Sequence, residues 1–262
     1  MHSQPTSRDQ RRTTVNRPTI TLLLWTAIAG VARGQTHETA RFEQQENMIR
    51  VTADAPRPVE AALVAVRDRF GLPICVEDPI LAFADDLRDA SIENAGLRKG
   101  TLVPRGHPLE ISFPTPGGPA EKNADAILAA LLNSVNEQLP VKYRVDREPD
   151  RFTFVPTQRR DALGKLVNVR PLLDLDVSIA NGTRSIAETA QLVSGELSKK
   201  TGMTISCCQS FVAGIPWGMG EIAFGTPGMP AREVLKLLIQ KAGGRRLWVS
   251  RCDLRFCFID LY

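Results

Sequence analysis

Histidine is scarce in this chain, with three residues in 262, at His2, His37 and His107. General acid–base and nucleophilic catalysis need such groups held within reach of one another. Only His107 falls inside a segment expected to fold, between Gly106 and Pro108, where an exposed turn residue is the simpler reading. Cys75 is the thiol that could be combined with it, and no third residue is placed to orient the pair. Phosphate-cradling glycine loops are missing too. "PTPGGP" and "GTPGMP" are proline-stiffened turns without the glycine spacing or the lysine of a P-loop. No catalytic, cofactor-binding or metal-binding residue is therefore assigned, and the chain reads as non-enzymatic.

Long apolar runs are also missing. The one apolar segment near the start, Ile20–Gly30, falls short of the roughly 20 residues that span a bilayer. It follows a basic stretch with Arg8, Arg11, Arg12 and Arg17, and is followed by the small residues Ala32 and Gly34. Residues 1–34 thus read as a secretory signal peptide of the Sec type, cleaved after Gly34. No cysteine follows it to carry a lipid. The expected product is periplasmic or secreted, with no integral membrane segment. Net charge is likewise missing after cleavage: the chain has 33 basic and 29 acidic residues, and 28 of each remain once the leader is removed. A nucleic-acid partner loses its main support, and "QRRDALGK" around Arg159 reads as a solvated linker.

What the chain does contain is a pattern written twice. "EISFPTPG" begins at Glu110 and "EIAFGTPG" at Glu221, with six of eight positions identical. Before the first octet, Val59, Leu63, Val66 and Phe70 form a helical stripe ending at Gly71. Before the second, Ile186, Ala190, Val193 and Leu197 do the same ahead of Gly202. Pro58 suits a first helical turn, and Ser185 with Glu188 forms a capping box. "LPICV" and "MTISC" follow as strands, and each octet is the next strand, stopped by its Pro-Gly. A second helix then carries Ile127, Leu128, Leu131, Leu132 and Val135, or Val234, Leu235, Leu238, Ile239 and Ala242. Tyr143 or Trp248 opens the last strand pair, which ends on "RFTFV" or "RFCFI". "MIRVTA" and "LDLDVSI" supply leading strands. The expected fold is α+β: two tandem related units, 47–156 and 172–262, each a small mixed sheet with two helices on one face, joined by a linker at 157–171.

The first unit differs by an insertion of roughly thirty residues, 78–108. It carries the carboxylates Asp85, Asp86, Asp89 and Glu93 and then "PRGHP", and such insertions are often functional or disordered. Five cysteines are present: Cys75, Cys207, Cys208, Cys252 and Cys257. Export favours disulfides, and Cys207, Cys208, Cys252 and Cys257 are the candidates, with a bridge expected between the Cys207/Cys208 strand and the terminal hairpin. Cys207 shares a strand face with Ile205 and could equally be core packing, and Cys75 is left as a buried thiol. Asn181-Gly182-Thr183 is an N-glycosylation acceptor pattern, meaningful only in a host with that machinery.

The stretch from "SIAETAQLVSGELSKKTGMTIS" to "MPAREVLKLLIQKAGGRRLWVSRCDLRFCFID" resembles the short domain at the N-terminus of secretins and TonB-dependent receptors. Ala231, Leu235, Leu238 and Gly243 occupy its second-helix positions. The resemblance covers 175–262 well and 49–155 more loosely, because of the insertion. The whole arrangement is also similar to secreted two-unit proteins of environmental bacteria. The resemblance implies a protein-contact module with an envelope protein as partner and no chemistry of its own. A receptor or channel role is not carried over, because the barrel or secretin channel that follows the domain in those families has no counterpart here. The alternative is a small-molecule or polysaccharide-binding protein, or a hydrolase, using the insertion's carboxylates in a cleft between the units.

Overall fold

The computed structural model describes residues 40–54, 56–92, 99–207, 220–243 and 247–261. The leader 1–34, His37, Glu93, Cys208 and most of "GIPWGMG" lie outside these residues. The chain is α+β. Its first half comprises β1 (Ala40–Gln45), β2 (Met48–Ala53), α1 (Pro58–Phe70), β3 (Ile74–Glu77), β4 (Leu87–Asp89), β5 (Leu102–Pro104), β6 (Leu109–Pro114), α2 (Ala124–Gln138), β7 (Lys142–Glu148) and β8 (Arg151–Arg160). After β9 (Leu166–Asn168) come β10 (Asp176–Ser185), α3 (Ile186–Thr201), β11 (Thr204–Cys207), β12 (Glu221–Pro230), α4 (Ala231–Lys241), β13 (Trp248–Cys252) and β14 (Phe256–Leu261). No described helix is long and apolar enough to cross a membrane.

The local chemistry sets the helix ends. Pro58 opens α1, where its missing N–H removes no helical hydrogen bond, and Gly71 closes it at φ 68° with its amide on the Arg67 carbonyl. The Ser185 hydroxyl accepts from the Glu188 amide while the Glu188 carboxylate accepts from the Ser185 amide, a reciprocal cap that starts α3. Gly202 ends that helix at φ 71°.

The two octets behave differently at their ends. In β6 Ile111 and Phe113 are buried and the strand stops at Pro114, but β12 continues through Pro227 and Gly228 to Pro230. Among the described residues β12 pairs only with β10, and Pro227 falls in the irregular stretch between the Ile179–Thr226 and Val177–Met229 pairs, where the N–H it lacks interrupts no regular ladder. β10 bulges between Val177 and Gly182 to follow it. Gly225 stands where the first octet has Pro114. A Cβ there would lie 2.6 Å from the Asn181 Cα, so the bulged backbone leaves room for glycine alone.

Each half keeps a small sheet of its own, β1-β2-β6 or β10-β12, but the remaining long strands of both halves join in one. A seven-stranded sheet runs β11-β14-β13-β3-β8-β7, with β9 added beside β8. Its junction is the parallel pair β13/β3, with Val249 opposite Val76 and Ser250 opposite Glu77. Because β13 is antiparallel to β14 but parallel to β3, the second half enters the sheet with its strand directions reversed. Reversal without a change of strand order turns the opposite face outward, and the cores follow. Ile74 and Val76 join a cluster with α1, α2, β2 and β6, which also takes in Val249. Cys75, pointing the other way as strand alternation requires, joins a cluster with α3, α4, Trp248 and Ile259.

The segment 157–171, expected as a linker, carries regular structure. β8 extends to Arg160 and β9 returns along it. Asp161 makes the turn, its Oδ1 accepting from the amides of Leu163 and Lys165 at 2.9 and 3.0 Å. Arg160 ion-pairs with Asp86 and lies 4.6 Å from the ring centroid of Phe83, which ties the hairpin to the insertion.

Candidate functional site

The described residues of the insertion 78–108 do not stand off from the body; they wall a cavity of about 90 Å³. The opposite wall comes from the start of α1 and the turn between α2 and β7. Five prolines line it, Pro56, Pro58, Pro79, Pro104 and Pro140. Each fixes its own φ and presents an apolar ring, so the walls are rigid before anything enters. Every lining residue belongs to the first half of the chain.

On its floor the Arg57 Nε donates to Asp78 Oδ2 at 2.8 Å, and Arg57 Nη2 donates to the Cys252 carbonyl at 3.3 Å. Burial pushes the Asp78 carboxyl upward, and the neighbouring Arg57 charge opposes the shift. Tyr143 also lines the cavity and is only 6% exposed. The Asn136 side chain holds its backbone at both ends, while its phenolic hydroxyl makes no hydrogen bond among the described residues. Burial, reinforced by the Asp78 charge, holds that hydroxyl well above the usual range for tyrosine. Asp85, Arg105 and His107 sit exposed around the mouth.

The sequence-level candidates separate here. Asp85 and Asp86 line the cavity, but Asp86 is bound by Arg160. Asp89 lies elsewhere and accepts from the Ser91 amide and hydroxyl at 2.9 and 2.5 Å, which holds its carboxyl below the usual range. Glu93 lies outside the described residues. Cys75 faces the second cluster at 0% exposure, while His107 is at the cavity mouth on the first-half side.

Burial pushes the Cys75 thiol from 9.0 up to about 12, against weaker opposition from the Trp248 backbone and the Arg151 charge. The folded state then holds this proton more tightly than the unfolded chain. Its contribution to stability is complete below pH 9 and is lost as the pH rises from 9 toward 12. We expect chemical denaturation to lose stability across that window by at most about 1.4 kcal/mol per pH unit for this proton; Cys75→Ala should remove this share of the decline and leave the share that Tyr143 adds in the upper part of the window. At neutral pH, thiol reagents should modify Cys75 only in denaturant.

Cys252 is bonded to Cys257, within the terminal hairpin. This replaces the bridge expected between that hairpin and the Cys207/Cys208 strand. Register explains it: Cys252 and Cys257 are direct cross-strand partners with Cα atoms 4.1 Å apart, whereas the residue of β11 opposite Cys257 is Ile205. Cys207, opposite Ile259, is itself disulfide-bonded.

Sequence reasoning missed the densest charged cluster, at the β3/β13 junction. Glu77 accepts from Arg232 Nε and Nη2 at 2.9 and 2.8 Å and from the Trp248 indole at 3.2 Å. Arg232 also ion-pairs with Asp174. Nearby, Arg251 Nε donates to both oxygens of Glu60 at 2.8 and 2.9 Å. The partners are 58 to 191 residues apart in sequence, so spacing carries no signal of them. These groups are saturated by one another and hold the halves together.

Compared with known proteins, the chain matches no family model, no curated protein and no solved structure. The functional reading therefore rests on the site itself.

Proposed function

We propose that this chain is an exported, non-catalytic protein that works by contact with another protein at the cell envelope, and that its proline-walled cavity receives one apolar side chain of that partner. The observation that carries this reading is the cavity's build. It is too small for a typical ligand pocket of 300–1,000 Å³, its inner charges are already paired, and apart from the Tyr143 hydroxyl its free polar groups stand at the rim. An apolar centre inside a polar rim is the anatomy of a protein-contact hot spot. Rigid walls lower the ordering cost of binding.

Two related units, similar to the short N-terminal domain of secretins and TonB-dependent receptors, remain part of this reading. Supporting it, the pairings β2/β6, β3/β8 and β7/β8 recur as β10/β12, β11/β14 and β13/β14, each with the same relative direction. The net charge of zero after the leader agrees with a partner other than nucleic acid.

The test places a photo-crosslinking residue at His107 and irradiates the protein in an envelope fraction of the producing organism. A discrete adduct is expected, and Val141→Trp, which fills the cavity, should abolish it while leaving the melting temperature within a few degrees. An adduct that survives cavity filling, or one equally strong from the exposed hairpin tip at Leu163, would refute the assignment.

A further inference from the structure

The segment "QRRDALGK" reads from sequence as solvated chain, yet Arg159 is half-buried on β8 and lines a second cavity of about 250 Å³. Its Nη1 is sealed from solvent and has no hydrogen-bond partner. No carboxylate among the described residues pairs with this guanidinium, although other arginines that are largely buried are paired: Arg160 with Asp86, Arg57 with Asp78, and Arg232 with Glu77. Asp161 is near enough for its charge to be felt at Arg159, but it is committed to the turn amides of Leu163 and Lys165. Burial holds the guanidinium below its usual range, against weaker opposition from the Asp161 charge.

The rest of the lining is donor-rich. The Asn168 Oδ1 accepts from Gln158 Nε2 at 2.8 Å, which leaves the Asn168 amide N–H groups available. Arg170 adds a second positive charge; its Nη2 donates to the Asp174 carbonyl and lies 3.5 Å from Asp176 Oδ2, leaving its remaining N–H groups for a ligand. Among the described residues no acidic side chain lines the cavity, whose remaining wall is apolar, including Ile80, Val169 and Leu172. A planar guanidinium fork beside an amide donor is matched to a carboxylate or phosphate oxygen pair. The volume exceeds what an inorganic ion fills and approaches that of small-ligand sites.

We infer that this cavity binds a small organic anion, with its acidic group on Arg159, Asn168 and Arg170 and a short branched or cyclic apolar body against Ile80 and Leu172. The inference does not depend on the protein-contact reading, since it uses a different cavity.

Isovalerate, isoamyl phosphate, inorganic phosphate and the neutral isovaleramide serve as probes, with binding to the full chain followed by amide chemical shifts and calorimetry. Both organic anions, or one of them, should bind, displacing resonances of 156–172; which one does so separates a carboxylate from a phosphomonoester ligand. Isovaleramide should not bind, and inorganic phosphate should bind at least tenfold more weakly. Arg159→Gln should weaken the organic anion at least tenfold, with Arg159→Lys intermediate. Without ligand, Arg159→Gln should melt at the same or a higher temperature, because it removes a half-buried charge that has no partner. A purely structural arginine would give the opposite, a lower melting temperature. Equal binding by wild type and Arg159→Gln, equal binding of isovaleramide and isovalerate, or phosphate binding as tightly as the organic anions would each overturn the proposal.

Discussion

Arg232→Ala is expected to destabilise the fold by roughly 3–5 kcal/mol, as measured by urea denaturation, because it strands a buried carboxylate. Glu77 is 2% exposed and Arg232 7%. Two arginine nitrogens and one indole nitrogen satisfy Glu77 in the native state. Burial raises the Glu77 carboxyl, and Arg232 is the main group opposing that rise. Without the arginine the folded-state value climbs further, so the native state takes up a proton more readily than the unfolded chain. A carboxyl raised in this way favours the fold at low pH and disfavours it as pH rises. The deficit of Arg232→Ala should therefore shrink as pH falls into the ordinary carboxylate range. Replacing the pair together, Glu77→Leu with Arg232→Met, should recover most of the loss, since apolar groups of similar volume often substitute for a buried ion pair at no net cost. If the double replacement were as unstable as Arg232→Ala, the cluster would be more than a matched pair of charges.

Periodicity and punctuation made the local elements legible. The helix stripes, Pro58, Gly71, Gly202 and the Ser185–Glu188 cap act within one turn of chain, and the structure uses each as local chemistry dictates. The strand alternation of "EISFP" is also visible in β6. What the sequence could not display is which strands from distant segments become neighbours. "ICVE" ends in an acid, yet all four of its residues are buried, because β13 and β8 flank it and cores cover both faces. The paired phenylalanines give a second example. Phe152 and Phe154 face α1 and α2, whereas Phe256 and Phe258 lie on the face away from α3 and α4, where Cys257, Ile259 and Leu261 pack instead. A shift of one residue in strand phase exchanges the faces, and composition does not record it. The first cavity was legible only in fragments. His107 and "PRGHP" were visible, but prolines spread from Pro56 to Pro140 converge only through the fold. Arg159 was misjudged for a similar reason: charge implies solvent unless a hairpin folds back to cover it.

Trp248→Ala should be the most damaging single truncation, at roughly 3–5 kcal/mol for a fully buried indole, with an added cost from the hydrogen bond lost to Glu77. Trp248 lies opposite Leu261 in the sheet and carries Arg151 5.4 Å from its ring centroid, so one residue touches the second core, the charged junction and β8. Trp248→Phe keeps much of the packing and removes the donor, and should cost about 1–3 kcal/mol. Leu163→Ala, at a side chain 90% exposed, should stay within about 0.5 kcal/mol of wild type. The informative measurement is where the damage spreads. The amides of β3 lie in the first half by sequence but pair with β13, and Cys75 is embedded in the core that Trp248 fills. Hydrogen exchange in Trp248→Ala should therefore speed up in Ile74–Glu77 together with β13 and β14, in one cooperative step. If β3 kept wild-type protection while β13 opened, the halves would be separable bodies that merely abut, and the crossing ion pairs Arg232–Glu77 and Arg251–Glu60 would be surface decoration on that contact.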